Sequence, residues 1–367
     1  MVPGGAGVSS AAPPAVLRAA AALPPGPALV FDVGLVKRRM IAARAQAHAQ
    51  GVELLLALKA VPLAVVAELA ARHLDGLDLA GPEEQALAAA LPPTALSLTW
   101  PGEVEVERVR ALATRHRVTV VVETAAQLAA AAALPGVLVA ARLADGPGSR
   151  FGVMPDALPA LVAAGGGRVR ALHVHGGALA TAPAVLAERA RRACDAAAAA
   201  DLPLEQLDLG GSLHGFALEH ATAGRATLAA ALAAARAAVP AAVRLVFEPG
   251  RLWTEDAGFA VGRVLAAREI DGQPVRVLDL SRLCHLRWST PRLVAPPPRA
   301  GDERVAVRFW GSTCCEDDVI ADAWVPPEHL AALEVGARVL FAGVSGYAAG
   351  WNRAFAGVPA ARVETVA

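Results

Sequence analysis

The residues able to do chemistry follow short apolar runs. Lys59 follows LLLAL; it and Lys37, which sits in the basic turn VKRRM, are the only lysines, so arginine makes up the rest of the 34 basic residues. A lysine backed by an apolar strand is either a snorkelling amine or a desolvated one. In the second case its pKa falls from about 10.4 and it becomes a nucleophile for a carbonyl carbon. His175 ends ALHVH ahead of Gly176–Gly177, and reads as a core histidine or as a ring-sized functional group. Gly210–Gly211–Ser212 closes QLDLG. Paired glycines are often only a turn, but their backbone N–H groups also suit a phosphate. Glu248 ends RLVFE before Pro249–Gly250–Arg251, and Arg142 closes VLVAARL. Glu248 is a rim ion-pair partner or a functional carboxylate.

These side chains need a scaffold that brings strand ends together. Apolar runs at 28–33, 53–58, 77–80, 95–100, 119–122, 137–143, 170–175, 206–210 and 244–248 read as strands. Alanine-rich stretches between them are long enough for helices. The stretch 182–200 places Leu186, Ala190 and Ala193 on one face, with Glu188, Arg191 and Arg192 elsewhere. Fully apolar strands alternating with helices imply parallel strands covered on both sides. With 28–33 set aside, eight strands precede residue 250, which predicts an α/β fold with a (β/α)8 TIM barrel. The open doubly wound sheet would want a G-x-G-x-x-G turn, and no helix opens on one. The barrel is expected over 34–250. After 250, strand-like runs at 259–266, 275–280, 304–310 and 337–343 predict a mostly β domain over 251–367, and 1–27 is an Ala/Pro/Gly-rich N-terminal segment. Active sites of such barrels lie at the carboxyl ends of the strands, where these residues stand.

Composition narrows the function classes. The 367 residues carry 34 basic and 34 acidic side chains, so a nucleic-acid binder relying on bulk positive charge is excluded. Apolar stretches are interrupted well before the roughly 20 residues of a membrane span, and no basic, uninterrupted apolar leader opens the chain. The four cysteines, Cys194, Cys284, Cys314 and Cys315, form no C-x-x-C pair. Neither a metal site nor a redox dithiol is expected, and a reduced cytoplasmic setting fits.

Together, a strand-end lysine, a ring-sized histidine, a glycine run, a carboxylate and an arginine match the needs of pyridoxal phosphate: a Schiff-base lysine, a phosphate cup and a partner for the pyridine nitrogen. In these motifs the sequence resembles the fold-type III pyridoxal-phosphate decarboxylases, which include ornithine, arginine and diaminopimelate decarboxylases. The resemblance runs from about residue 28 to 360. LALKA resembles the Schiff-base segment, LDLAGPEE the second-strand motif, SRFG at 149–152 the Ser-Lys-Phe-Gly segment, ALHVHGGA the ring-stacking segment, LDLGGS the phosphate glycine run and FEPGR the pyridinium-binding segment. In 310–320, WGSTCCEDDVI resembles the segment that carries a catalytic cysteine across a dimer interface; its spacing from Gly311 and Asp318 selects Cys314 over Cys315. GYAAG supplies Tyr347, the only tyrosine.

The resemblance implies decarboxylation of an amino acid or a derivative at its α-carbon, with CO2 leaving through a quinonoid intermediate. Lys59, His175, Glu248 and Cys314 are the implied catalytic residues. Lys59, His175, Gly210, Gly211, Ser212, Glu248, Gly250, Arg251 and Tyr347 would bind the cofactor, and Arg142, Cys315 and Glu316 the substrate. It also implies a homodimer with a shared active site, and places strand 28–33 in the β domain. Ala178 replaces the serine after the stacking histidine, and Cys315 replaces a commonly acidic neighbour of the cysteine, which argues against ornithine and lysine as substrates. Diaminopimelate, with Arg142, Arg150 or Arg251 meeting a distal carboxylate, and a siderophore precursor remain. The competing readings are an amino-acid racemase on the same barrel and a non-catalytic homologue that binds a partner. The segment 284–293, CHLRWSTPRL, has an unusual composition and is a candidate site-lining loop.

Overall fold

The computed structural model describes residues 12–176, 182–218, 226–297 and 304–367. The chain divides into two compact units. One comprises residues up to Val36, 60–62 and Trp253–Ala367; the other comprises Lys37–Lys59 and Leu63–Leu252.

Strand β1 (Ala28–Asp32) belongs to the first unit, and eight strands of the second unit close a barrel. These are β2 (Val52–Ala57), β3 (Gly76–Leu79), β4 (Ala95–Leu98), β5 (Arg117–Val122), β6 (Leu138–Leu143), β7 (Val169–Val174), β8 (Gln206–Asp208) and β9 (Arg244–Phe247). All neighbours run parallel, and β9 closes on β2 through Val52↔Leu245. Apolar residues dominate most of these strands, as expected where both faces are covered, by the barrel interior and by the surrounding helices. The helix Pro183–Ala199 shows how the outer layer is made. Proline opens its first turn, where no backbone donor is needed, and it buries Leu186, Ala190 and Ala193 as its spacing predicts.

The two ends of the barrel differ. At the amino-terminal mouth Arg117 meets Glu53 at 2.7 Å, and Arg244 Nη2 donates to Gln206 Oε1 at 2.5 Å. These residues stand at or near the starts of β5, β2, β9 and β8, where polar pairing serves stability. The carboxyl-terminal mouth carries Lys59, His175, the run Gly210–Ser212 and Glu248, each at or just past a strand end.

In the first unit, β1 pairs antiparallel with β10 (Gly258–Ile270) and parallel with β16 (Arg362–Val366). The remaining strands are β11 (Gln273–Leu278), β12 (Arg292–Ala295), β13 (Val305–Trp310), β14 (Val319–Val325) and β15 (Arg338–Ala342). The sheet order is β12-β15-β10-β11-β13-β14, with β1 and β16 beside β10. Strands β12, β14 and β16 were not legible as apolar runs. β16 (RVETV) is exposed or half-buried throughout, and the apolar residues of β14 (VIADAWV) are interrupted by Asp322 and mostly left exposed or half-buried. The N-terminal segment also holds more structure than its composition suggests. Pro14–Ala22 is a nine-residue helix whose Val16 and Ala20 pack on Ala28, Val30, Phe259, Val261 and Leu340. Among the described residues, no helix is long and apolar enough to cross a membrane.

Candidate active site

Lys59 lies in a single 3-10 turn, Leu58–Ala60, immediately after β2. Its Nζ is 2.5 Å from Asp78 Oδ2, and Thr99 Oγ1 donates to Asp78 Oδ1 at 2.5 Å. Asp78 is fully buried in β3. Burial, and after it the charge of Glu248, raise its pKa, against the lowering pull of Lys59 and Thr99. The amine therefore has a hydrogen-bonded proton acceptor beside it. Next along the chain, Ala80 N–H donates to Glu84 Oε2 at 2.6 Å. Burial pushes the Glu84 carboxyl up to about 7.

Strand alternation puts His173 and His175 on one face of β7 and the residue following it. Buried His173 approaches Glu248 Oε2 through Nε2 at 3.2 Å. His175 opens to the mouth, and its Nδ1 accepts from Gly211 N–H at 3.2 Å. Enough protein surrounds the ring that desolvation, then the neighbouring His173 and Lys59, lower its pKa to about 4. It is a neutral imidazole at neutral pH. Gly210 has φ +65°, and a Cβ there would collide with the His175 ring, so both dihedral and space require glycine. Ser212 is also left-handed, at φ +77°. Left-handed residues at 210 and 212 curve the glycine run into the concave backbone that suits an anion.

Glu248, one residue past β9, is 4% exposed. Its N–H donates to Gly210 O at 2.8 Å, and Pro249 O accepts from Ala57 N–H at 3.3 Å. The turn after β9 is thus tied to both β2 and the glycine run. Burial works to raise the pKa of Glu248, but His173, Lys59 and Asp208 overcome it and hold the carboxyl at about 2. Among the described residues, nothing donates to buried Glu248 Oε1. Beside it, buried Asp208 accepts Gly210 N–H on Oδ1 at 2.8 Å, while its Oδ2 has no donor among the described residues. Burial, then the charge of Glu248, raise Asp208 well above the ordinary carboxylate range. One ligand atom from each of His173, Asp208 and Glu248 lies within 4.8 Å of the other two, a donor set that could hold a divalent cation. Sequence reasoning assigned no metal and found none of His173, Asp208, Asp78 or Thr99. The available signal was an ionisable residue inside an apolar strand, in LDLA, QLDL and ALHV.

Arg142 lies within β6 and stacks its guanidinium over Phe151, 4.4 Å from the ring centroid; Arg150 stacks at the same distance. Both arginines are thereby held on the SRFG segment. Arg251 is exposed at the start of the short helix Arg251–Thr254, next to half-buried Gly250. Ala178 lies outside the described residues.

Cys314, Cys315, Glu316 and Tyr347 belong to the β-rich unit. Cys314 and Glu316 are exposed and Cys315 is half-buried, on a loop organised by buried Asp318. Asp318 Oδ2 accepts from Thr313 N–H at 3.2 Å and Thr313 Oγ1 at 2.6 Å, and Oδ1 accepts from Arg282 N–H at 2.7 Å. Its carboxylate fills the space a Cβ on Gly311 would need. All four cysteines are free. Tyr347 meets Trp288 edge-on, with centroids 5.0 Å apart, and Trp288 meets Trp351 at 5.8 Å. Arg287 caps Trp351 at 4.5 Å. The segment 284–293 therefore brings Tyr347 an aromatic neighbour.

Neither a protein-family model nor a curated protein matches the sequence. Solved structures do match the fold. The arginine decarboxylase of Paramecium bursaria Chlorella virus, bound to agmatine, gives a TM-score of 0.76 at 18% identity, over 96% of this chain and 100% of that one. The lysine decarboxylase SrLDC, in complex with PLP and cadaverine, gives 0.76 at 22% identity, over 95% of this chain and 92% of that one. The diaminopimelate decarboxylase of Helicobacter pylori, complexed with L-lysine, gives 0.77 at 16% identity, over 96% of this chain and 94% of that one. The architecture is that of the fold-type III decarboxylases: a closed barrel of eight parallel strands and a mostly β unit.

Proposed function

We propose that this chain is a pyridoxal-phosphate-dependent decarboxylase acting at the α-carbon of an amino acid or a close derivative. The observation that carries the reading is Glu248: a buried carboxylate held at about 2, with one oxygen to which no described residue donates. A buried acceptor without a partner costs about 1–3 kcal/mol, and a protonated pyridine nitrogen is the donor that would satisfy it. Lys59 is the primary amine of the barrel mouth, and the curved run Gly210–Ser212 with Gly250 and Arg251 suits a phosphate. These residues fit the cofactor, which SrLDC binds in the same fold.

Bound pyridoxal phosphate would supply the electron sink that lets the α-carboxylate leave as CO2. This chain's residues do the rest. Lys59 Nζ passes a proton to Asp78 Oδ2 and becomes a neutral nucleophile. Glu248 fixes the charge of the ring nitrogen. Neutral His175 offers a flat face for stacking, locked in rotation by Gly211 N–H. The electron pair left on the α-carbon takes a proton from the Cys314 thiol, delivered by a second copy of the chain in a homodimer with a shared active site. Exposure of Cys314 on an anchored loop supports that role. Tyr347 and Ser212 join the phosphate contacts. Arg142, Cys315 and Glu316 face the substrate, in which a distal carboxylate suits Arg142 or Arg150 better than a second amine.

The first experiment is an absorbance spectrum of the full-length protein with pyridoxal phosphate, followed by borohydride reduction and peptide mapping, beside Lys59→Ala. A reduced adduct on Lys59, absent from the variant, and CO2 release from an amino-acid panel are expected. A folded protein that forms no adduct at saturating cofactor would end the reading. An adduct with proton exchange at the α-carbon and no CO2 would redirect it to racemisation.

A further inference from the structure

The helix Pro183–Ala199 carries Arg189, Arg191 and Arg192, and treats them differently. Arg191 and Arg192 are exposed, as their spacing predicts. Arg189 is 4% exposed and lies on the buried face with Leu186, Ala190 and Ala193. Its guanidinium reaches the turn after β7. Nη2 donates to Gly176 O at 3.0 Å, and Nε stands 3.6 Å from Oδ1 of Asp145, two residues past β6. Asp145 Oδ1 also accepts from Arg192 Nη2 at 3.4 Å, so one half-buried carboxylate serves two arginines. Arg189 Nε and Nη1 are buried, with no hydrogen-bond acceptor among the described residues. A buried charge stabilises a fold only when its donors are filled, so a guanidinium this incompletely paired points to another use. It sits where the strand ladder gives out. The β6–β7 register ends at Leu143↔Val174 and the β7–β8 register at His173↔Asp208. His175 and Gly176 lie beyond both.

We infer that Arg189 is a positioning residue for His175. It ties the Gly176 carbonyl to Asp145 and so fixes the main chain from which the imidazole projects, while Gly211 N–H fixes the ring itself. Arginine suits this task because its planar fork meets two acceptors in a fixed geometry, whereas a lysine offers a point charge on a flexible stem. Glycine at 176 belongs to the same device, because a Cβ there would overlap the guanidinium. The consequence for the chemistry, that the ring is held ready to stack on a bound cofactor, rests on the proposed function. The anchoring of His175 does not.

The test is hydrogen–deuterium exchange at the Gly211 amide, which His175 Nδ1 protects, in the full-length chain without cofactor. Arg189→Met keeps an apolar stem and removes the fork. Asp145 keeps Arg192, and the half-buried Gly176 can meet water, so no charge is orphaned. Exchange at Gly211 should quicken about tenfold, while the melting temperature stays within about 3 °C of wild type or rises. Arg189→Lys should fall between the two. An unchanged Gly211 rate in Arg189→Met overturns the assignment. So does a variant that fails to fold, or that melts more than about 10 °C lower with exchange quickened throughout the barrel, since Arg189 would then be structural. Gly176→Ala supplies an independent check. Alone it should drive the guanidinium out and quicken Gly211 as Arg189→Met does, and added to Arg189→Met it should change nothing further. Additive effects would separate the two residues and also overturn the assignment. With pyridoxal phosphate bound, Arg189→Met should weaken the visible circular-dichroism band of the cofactor and lower turnover about tenfold. If the chain takes up no cofactor while Gly211 responds as expected, the proposed function fails and the anchoring stands. If wild type releases CO2 but Gly211 does not respond, the anchoring alone fails.

Discussion

The barrel mouth and the Gly311–Asp318 loop are each built on a buried aspartate, and the two aspartates are treated differently. Asp318 accepts three hydrogen bonds, from Arg282 N–H, Thr313 N–H and Thr313 Oγ1, and both its oxygens are used. Among the described residues Asp208 accepts one, and its Oδ2 has no donor. Asp318 is a clasp: it holds two backbone segments in place, and the exposed Cys314 rides on one of them. Asp208 clasps nothing beyond its own turn and faces other acids. A fold that satisfies one buried carboxylate fully and leaves another short of donors marks the second as part of a site, since buried polar groups are otherwise nearly all paired.

The sharpest way to break this comparison is at Glu248. Glu248→Gln keeps the shape and the contact with His173 but removes the negative charge. Under the proposed function turnover should fall about 10²–10³-fold, the size of loss expected when one buried charge-stabilising group is removed, while cofactor affinity changes less than about tenfold. Steady-state rates and a cofactor titration on the same preparation separate the two. Turnover equal to wild type would remove Glu248 from the chemistry and leave the mouth an ordinary buried polar cluster.

A smaller effect is expected at the clasp. Asp318→Asn retains volume but presents an N–H2 group to Thr313 or Arg282 donors. The lost pairing should cost about 1–3 kcal/mol of stability, read by denaturant unfolding. The alkylation rate of Cys314 at fixed pH should change with it, because the loop is no longer fastened at both ends. An unchanged rate, with Cys314 identified by peptide mapping, would show that the clasp does not govern the thiol's setting.

These two regions were legible in the sequence to different depths. The eight barrel strands could be read because apolar residues dominate the runs that hold them, and Lys59, His175 and Glu248 could be read because they stand where such runs stop. Asp78, His173 and Asp208 were hidden by the same rule. They sit inside the runs, where a single ionisable residue among Leu and Val reads as noise until the barrel closes and turns them toward one another. Edge and surface strands escaped for other reasons: Asp322 splits the apolar residues of β14 into two short pieces, and β16 mixes Arg362, Glu364 and Thr365 with its two valines. The Cys314 loop was legible only by resemblance to a known segment. Nothing in its composition announces that Asp318 folds back under Gly311, since that depends on a glycine leaving room for a carboxylate from a residue further along.

The most gradual expected effect lies at the rim of the mouth, on Glu84, where the difference builds up only as pH changes. Burial is the main cause lifting this carboxyl from 4.5 to about 7, with the charge of Asp78 adding to it; the Ala80 N–H and Lys59 pull the other way. The folded protein therefore holds the Glu84 proton over a range where the unfolded chain has released it. Below 4.5 both states are protonated and the group contributes nothing to the pH dependence. From 4.5 to about 7 the unfolded chain binds fewer protons, so this contribution to stability declines as pH rises, and above 7 the loss is complete. Glu84→Gln keeps an oxygen for Ala80 N–H and has no proton to lose. Its stability relative to wild type should improve steadily across that window and then hold level. Denaturant unfolding of both proteins at the ends of the window measures the difference directly. A gap that does not change with pH would show that Glu84 ionises as freely in the folded protein as in the unfolded chain, and that the low-dielectric character of the mouth stops short of the helix Pro82–Ala88.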